Sequence, residues 1–223
     1  MNRYIQKMLS GLLKKSSPNP LLSAIVDDVL TNAYRNGEIA VVYDIGANSG
    51  SWSGAMKKRF RSSDFYLFEA NPVHESEIKK VGFPYWIEAL SNGDGEGVFY
   101  SINGTGDSLY KENTECYDGC VERKISTRSI SSMVMEFGIP LPDLVKMDVQ
   151  GAELDVIQGG QSVFDNARYV LSELPVVKYN IGAPGFSEYM DVFAGHGLRP
   201  VEVAEIHKRK GELVQLDILF RRY

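Results

Sequence analysis

VVYDIGANSG, residues 41–50, decides how the rest of this chain is read. A short β-branched run ends in Asp44, and five small residues, Gly46 to Gly50, follow it as a tight turn. A second apolar run, FYLFEANP at 65–72, places Glu69 at its end. A strand, a glycine turn opening a helix, and a second strand closed by an acid form the layout of a nucleotide-binding βαβ unit. In such a unit the turn lets backbone approach a ligand, and the later carboxylate accepts ribose hydroxyls. Glu69 and the turn then share one crevice at the carboxyl ends of two parallel strands.

Working outward, strands and helices alternate. Strands are expected at 41–45, 65–69, 84–90, 98–102, 144–149 and 168–174. Helices are expected at 50–61, 73–81, around Ile130–Phe137, at 152–160, and across Phe186–Leu198. PVEVAEI and LVQLDILF, either side of Gly211, read as a terminal hairpin. Residues 103–122 are polar and read as one long loop. The pattern predicts an α/β fold, a doubly wound, mostly parallel seven-stranded sheet with a C-terminal antiparallel hairpin. Residues 1–38 form a helical extension before a main domain at 39–223. Its first apolar stripe, Ile5 to Leu13, carries Arg3, Lys7, Lys14 and Lys15 and no acid precedes Asp27. That stripe reads as a cap on the domain or as an interfacial helix meeting a membrane or another subunit.

The chain has 223 residues, 43% hydrophobic and 24% charged, enough for one well-cored domain. A net charge of −5 and pI near 5.3 argue against a nucleic-acid partner. No apolar run reaches the roughly 18 residues of a membrane span, and a cytoplasmic location is expected. Cys116 and Cys120 are the two cysteines of the chain, so no disulfide framework is expected, and with no histidine near them in sequence no zinc site is expected either.

The turn itself narrows the ligand. Asn48 occupies the second glycine position of a dinucleotide fingerprint, and no Gly-Lys-Ser/Thr follows for a P-loop. Asp44 repels phosphate and suits a cationic amino-acid moiety. S-adenosylmethionine, with an ammonium, a sulfonium, a ribose and no phosphate, fits better than NAD. DIGANSGSWS at 44–53, FEANP at 68–72, EALSN at 88–92, and above all KMDVQGAELDVIQGG at 146–160 resemble the FkbM family of S-adenosylmethionine-dependent methyltransferases. The resemblance covers about 41–175. It implies a class I methyltransferase fold and O-methylation of a hydroxyl on a sugar, glycan or small natural-product acceptor. One departure is Ser131, which stands where the family often carries an acid.

On this reading the cofactor contacts are Asp44, Gly46, Asn48, Gly50, Glu69, Ala70, Asn71, Ala89, Leu90, Ser91 and Asp148. Asp44, Gly46 and Gly50 take the methionine end, Glu69 the ribose, and Ala89 to Ser91 the adenine. Glu88 is a further candidate for the adenine amino group. Asp148 and Glu153 are the catalytic candidates, as general base or as joint oxygen ligands of a divalent cation. The structural alternative is that Glu153 only caps its helix and Asp148 only fixes a loop. Lys146 shares a strand face with Asp148 and reads as its structural partner. Glu173, Tyr179 and Ser108 are the acceptor-site candidates, with 103–122 as a lid or a plain surface loop. His74 reads as a solvated helix start that could reach the ribose. An NAD-dependent oxidoreductase, or a binding module without catalysis, are the competing readings.

Overall fold

The structure, a computed structural model, describes residues 20–102 and 106–223. The basic stripe at 3–15 therefore lies outside the described residues. α1 (Pro20–Arg35) leads into β1 (Val41–Ile45), α2 (Ser51–Lys57), β2 (Asp64–Glu69), a 3₁₀ turn at Pro72–His74, α3 (Glu75–Val81) and β3 (Tyr85–Ile87). Then come β4 (Ala89–Leu90), β5 (Gly95–Ser101), β6 (Val121–Arg128), α4 (Ile130–Phe137), β7 (Leu144–Met147), α5 (Glu153–Gln158) and α6 (Gln161–Asn166). β8 (Tyr169–Pro175), α7 (Phe186–Gly195), β9 (Leu198–Arg209) and β10 (Glu212–Arg222) finish the chain.

The main sheet has seven strands in the order β3-β2-β1-β7-β8-β10-β9. β10 lies antiparallel between β8 and β9, and the pairs from β3 to β8 are parallel. This is the α/β, doubly wound arrangement that the alternating pattern predicts, with its hairpin. Both faces of the sheet are covered, because alternate residues of each strand point to opposite sides. Tyr43, Ile45, Val145 and Met147 pack under α4, α5, α6 and α7 through Ile130, Met133, Val156, Phe164 and Phe193. Val42, Leu67 and Leu144 pack on the other side with Leu30 and Ala33 of α1, Met56 of α2 and Ile78 of α3. α1 is thus part of one helical layer. Among the described residues, no helix is long and apolar enough to cross a membrane.

Three elements differ from the sequence reading. The strand expected at 84–90 splits after Ile87: Tyr85–Ile87 stays in the main sheet, and Ala89–Leu90 turns to pair with β6. VERKISTR at 121–128, of which the first two residues fall in the expected loop and the rest carry no expected element, is a strand whose residues 121–127 pair antiparallel with β5. β4, β6 and β5 therefore make a second, three-stranded sheet. Most of β6 is half-buried or exposed, so it lacks the apolar alternation that would announce a strand. The helix expected at 152–160 ends at Gln158, and after Gly159–Gly160 a further helix, α6, follows that the sequence reading does not give. Gly159 lies against Ser91 and Asn92, where a Cβ would come 2.2 Å from the Ser91 carbonyl oxygen.

Candidate functional site

β1 and β7 both end at one crevice. Asp148 N–H donates to the Ile45 carbonyl at 3.0 Å, carrying the β1–β7 pairing one residue past Met147. Gly46 turns immediately there at φ 74°. The two backbones approach so closely that a Cβ on Gly46 would lie 2.0 Å from the Asp148 carbonyl oxygen. Only glycine satisfies both the left-handed φ and the space.

The turn spends all five of its amides internally. Gly46 and Ala47 N–H both donate to the Phe68 carbonyl, at 2.9 and 3.0 Å. Asn48 N–H donates to Glu69 Oε2 at 2.7 Å. Ser49 N–H donates to the Asn48 side-chain oxygen at 2.7 Å, and Gly50 N–H to the Ala47 carbonyl at 2.8 Å. Asn48 itself sits at φ 49°, a left-handed conformation that asparagine tolerates. Glu69 accepts a second bond from Asn71 N–H at 2.8 Å, at its other carboxylate oxygen. Burial raises the Glu69 pKa, and these amide bonds oppose the shift.

Beneath the turn lies a charged cluster. Asp44 is fully buried, accepts from Ser53 Oγ at 2.7 Å, and lies 3.5 Å from Lys146 Nζ. Lys146 also stands 3.6 Å from Asp148 Oδ2 and donates to the Gly46 carbonyl at 3.2 Å. Burial pushes the Lys146 pKa down, but Asp148, Asp44, Glu173 and Asp217 together outweigh it, and the ammonium is held charged. Gln150, at φ 53°, spans the crevice wall. Its amide donates to Asp148 Oδ1 and Glu173 Oε1, both at 2.7 Å.

A cleft of about 430 Å³ opens over these groups, within the usual size of a small-molecule site. Gly46, Asn48, Glu69, Ala70, Ala89, Leu90, Ser108 and Asp148 of the sequence-derived candidates line it, and so does Glu88. Its apolar wall is Trp52, Phe68, Leu90 and Phe99, and His74 lines it with Nε2 3.2 Å from the Asn48 amide nitrogen. His74 therefore starts α3 as its N-cap, as the sequence suggests, and lines the cleft as well. The segment between β5 and β6 borders the opening through Asp107, Ser108 and Leu109. Asp107 accepts from Asn71 at 2.5 Å, Ser108 Oγ donates to the Gln150 carbonyl at 2.7 Å, and Tyr110 donates to Asp155 at 2.7 Å.

Several candidates stand elsewhere. Glu153 is buried and turned away from the cleft: it accepts from Gly151 N–H at 3.1 Å, Val149 N–H at 3.2 Å and Tyr189 OH at 2.8 Å. A carboxylate in the first helical turn has those amides within reach, and they take it first. Its pKa is raised by burial, against the same hydrogen bonds. Asp148 and Glu153 thus do not converge on one ligand. Asp44 lies under the turn rather than in the cleft. Gly50, at φ 72°, is a packing glycine whose Cβ would press on Val81 at 2.9 Å. Asn71 is buried against Asp107 and Arg123, and Ser91 N–H bonds the Arg128 carbonyl. Glu173 and Tyr179 sit behind the wall, joined by Gln215, whose amide donates to Glu173 Oε1 at 2.7 Å and to the Tyr179 hydroxyl. The sequence reading missed Gln150, Glu205 and Asp217, all three of which line the cleft.

Residues 44–210 match the family described as the methyltransferase FkbM domain. The chain belongs to the FkbM methyltransferase family. The 2-O-methyltransferase NoeI of Sinorhizobium fredii is 28% identical over 153 residues, covering 60% of this chain and 62% of NoeI. The hexuronic acid methyltransferase AglP of Haloferax volcanii is 25% identical over 140 residues, covering 60% of this chain and 55% of AglP. The matched regions therefore span less than two thirds of either relative. Among solved structures, the precorrin-6y C5,15-methyltransferase of Geobacter metallireducens superposes with a TM-score of 0.49 at 13% identity, covering 97% and 98% of the two chains.

Proposed function

We propose that this FkbM-family chain transfers a methyl group from S-adenosylmethionine to a hydroxyl of a sugar, glycan or small natural-product acceptor. The observation that carries the choice of cofactor is the amide accounting of the turn. A pyrophosphate is held by free backbone N–H groups at such a turn, and here all five are committed within the protein. A ligand without phosphate, whose ribose meets a buried carboxylate, fits the donor set that is present. The names of NoeI and AglP, an O-methyltransferase and a hexuronic acid methyltransferase, support a sugar hydroxyl as acceptor.

In this reading Glu69 accepts the ribose hydroxyls, with Ala70 backing them, and its bonds to Asn48 and Asn71 fix its rotamer beforehand. Leu90, Phe99 and Phe68 enclose the adenine between apolar surfaces, with Ala89 and Glu88 at its edge. Gly46 and Asn48 border the methionine end. Asp44 and Gly50 act one layer below, by setting the turn. When bound, the cofactor supplies an electrophilic methyl on a sulfonium, so the protein contributes alignment and a place for the hydroxyl proton. Asp148, on the cleft wall with Oδ1 held by Gln150, is the residue we assign to take that proton. Lys146 Nζ stands 3.6 Å from its Oδ2. Ser108 and Gln150 face the acceptor. Glu153 holds the loop that carries Asp148 and is neither base nor metal ligand here.

Transfer of labelled methyl from S-adenosylmethionine to a panel of hexoses, deoxyhexoses and uronic acids, resolved by mass spectrometry, tests the reading. A mass gain of one methyl on an acceptor oxygen supports it. Hydride transfer with NAD and no methylation overturns it.

A further inference from the structure

At the far end of the cleft, three adjacent strands put acids side by side. In register, Asp217 of β10 stands opposite both Glu173 of β8 and Glu205 of β9, and His207 stands opposite Gln215. Like charges directly across a ladder are destabilising, so such a row calls for a counter-charge. One imidazole meets all three: His207 Nε2 lies 3.1 Å from Asp217 Oδ1 and 3.7 Å from Glu173 Oε2, and Nδ1 lies 3.8 Å from Glu205 Oε1. Protonated, His207 carries a single positive charge.

From this geometry we infer that Glu173, His207 and Asp217 bind a divalent first-row metal ion, held through His207 Nε2 and one oxygen of each carboxylate. Ligand atoms from the three residues all lie within 4.8 Å of one another. Donors about 2.1 Å from a metal, at octahedral or tetrahedral angles, stand roughly 3.0–3.5 Å apart. The two observed separations from Nε2, 3.1 and 3.7 Å, need only small adjustment.

The surroundings of the three ligands point the same way. A metal-bound histidine commonly turns its second nitrogen to a carboxylate, and bound carboxylates are themselves hydrogen-bonded. His207 turns Nδ1 toward Glu205. Glu173 has Oε1 held by two amides, from Gln150 and Gln215, each at 2.7 Å, which aims Oε2 at His207. A donor set of one imidazole and two carboxylates suits manganese, iron or zinc better than calcium.

Asp217 and Glu205 line the cleft, so the ion's remaining positions would face the acceptor. Gln150 links the cluster to Asp148 directly. A metal there would hold an acceptor oxygen and lower the pKa of its hydroxyl. That last role rests on the methyl-transfer reading; ion binding itself does not.

The test is titration of the full chain with Mn²⁺, without cofactor, by calorimetry and by electron spin-echo spectroscopy. We expect one Mn²⁺ per chain, with ¹⁴N modulation from the imidazole. His207→Gln should lose that modulation and, with Asp217→Asn, weaken binding roughly tenfold or more, each variant first checked for fold by circular dichroism. Should both variants fail to fold, the wild-type spectrum alone decides. No binding at millimolar Mn²⁺, or bound Mn²⁺ without nitrogen coupling, or unchanged affinity in folded variants, overturns the site. S-adenosylhomocysteine titrated into the same preparation separates this outcome from failure of the methyltransferase reading.

Discussion

Gly46→Ala should damage both stability and catalysis, and Gly37 supplies its control. The two glycines have nearly equal backbone angles, φ 74° and 75°. A Cβ on Gly37 meets nothing within 4 Å, whereas one on Gly46 would lie 2.0 Å from the Asp148 oxygen and 2.8 Å from its carbonyl carbon. A left-handed conformation costs an alanine about 1–2 kcal/mol. Gly37→Ala should show that cost alone. Gly46→Ala adds overpacking of about 1–3 kcal/mol, because the neighbour is backbone and cannot swing aside. The expected loss is then about 2–5 kcal/mol, read as a lower urea midpoint with similar slope. The turn and the Asp148 loop must separate by about an ångström, and such misplacement typically lowers turnover about a hundredfold. Equal midpoints for the two variants would refute the claimed contact between the turn and the Asp148 loop.

Other expectations follow from single groups. Burial pushes the Glu112 carboxyl up to about 7, from an ordinary 4.5, with its bond from Thr114 opposing. The folded state therefore holds a proton that the unfolded chain has released between those two values. The cost to stability is absent below 4.5, grows as pH rises, and is complete above 7, reaching about 3 kcal/mol. Glu112→Gln should relieve it at pH 8 and change little at pH 4.5, which thermal melts at the two pH values would reveal; an equal shift at both would contradict the assignment. Tyr189→Phe removes the hydroxyl bonded to buried Glu153 at 2.8 Å and should cost about 1.5–3 kcal/mol by denaturant unfolding. Asp148→Asn should abolish methyl transfer while leaving S-adenosylhomocysteine affinity within about threefold, since ~0.6 kcal/mol is all that a neutral isostere need change in cofactor contacts; retained turnover would remove Asp148 from the base role.

The sheet was legible because its signals are local. VVYDI, DFYLFE and LVKM are short runs rich in apolar residues, the first and last followed by glycine turns and the second by Asn71-Pro72, and they become β1, β2 and β7. β6 was not legible, since its neighbours in the small sheet leave much of its surface wet and its sequence polar. The crevice was readable in part for the same reason: Gly46, Asn48 and Glu69 are fixed by one βαβ unit. Glu153 misleads because spacing from Asp148 gives proximity but not direction, and the nearest amides of its own turn capture it. Gln150 carries no chemical signature in sequence; its role depends on a left-handed backbone that aims one amide at two carboxylates. His207 and Asp217 meet only through the register of β9 and β10, and register with a distant Glu173 cannot be read from local periodicity.

The proposed chemistry needs a phosphate-free adenosyl ligand seated against Glu69. Calorimetric titration of S-adenosylmethionine, S-adenosylhomocysteine and NAD into the wild-type chain and Glu69→Ala measures this directly. We predict micromolar affinity for the first two and none for NAD, with a loss in the variant of about 1.5–3 kcal/mol, or roughly ten- to 150-fold. Tight NAD binding, or S-adenosylmethionine affinity indifferent to Glu69, would contradict it.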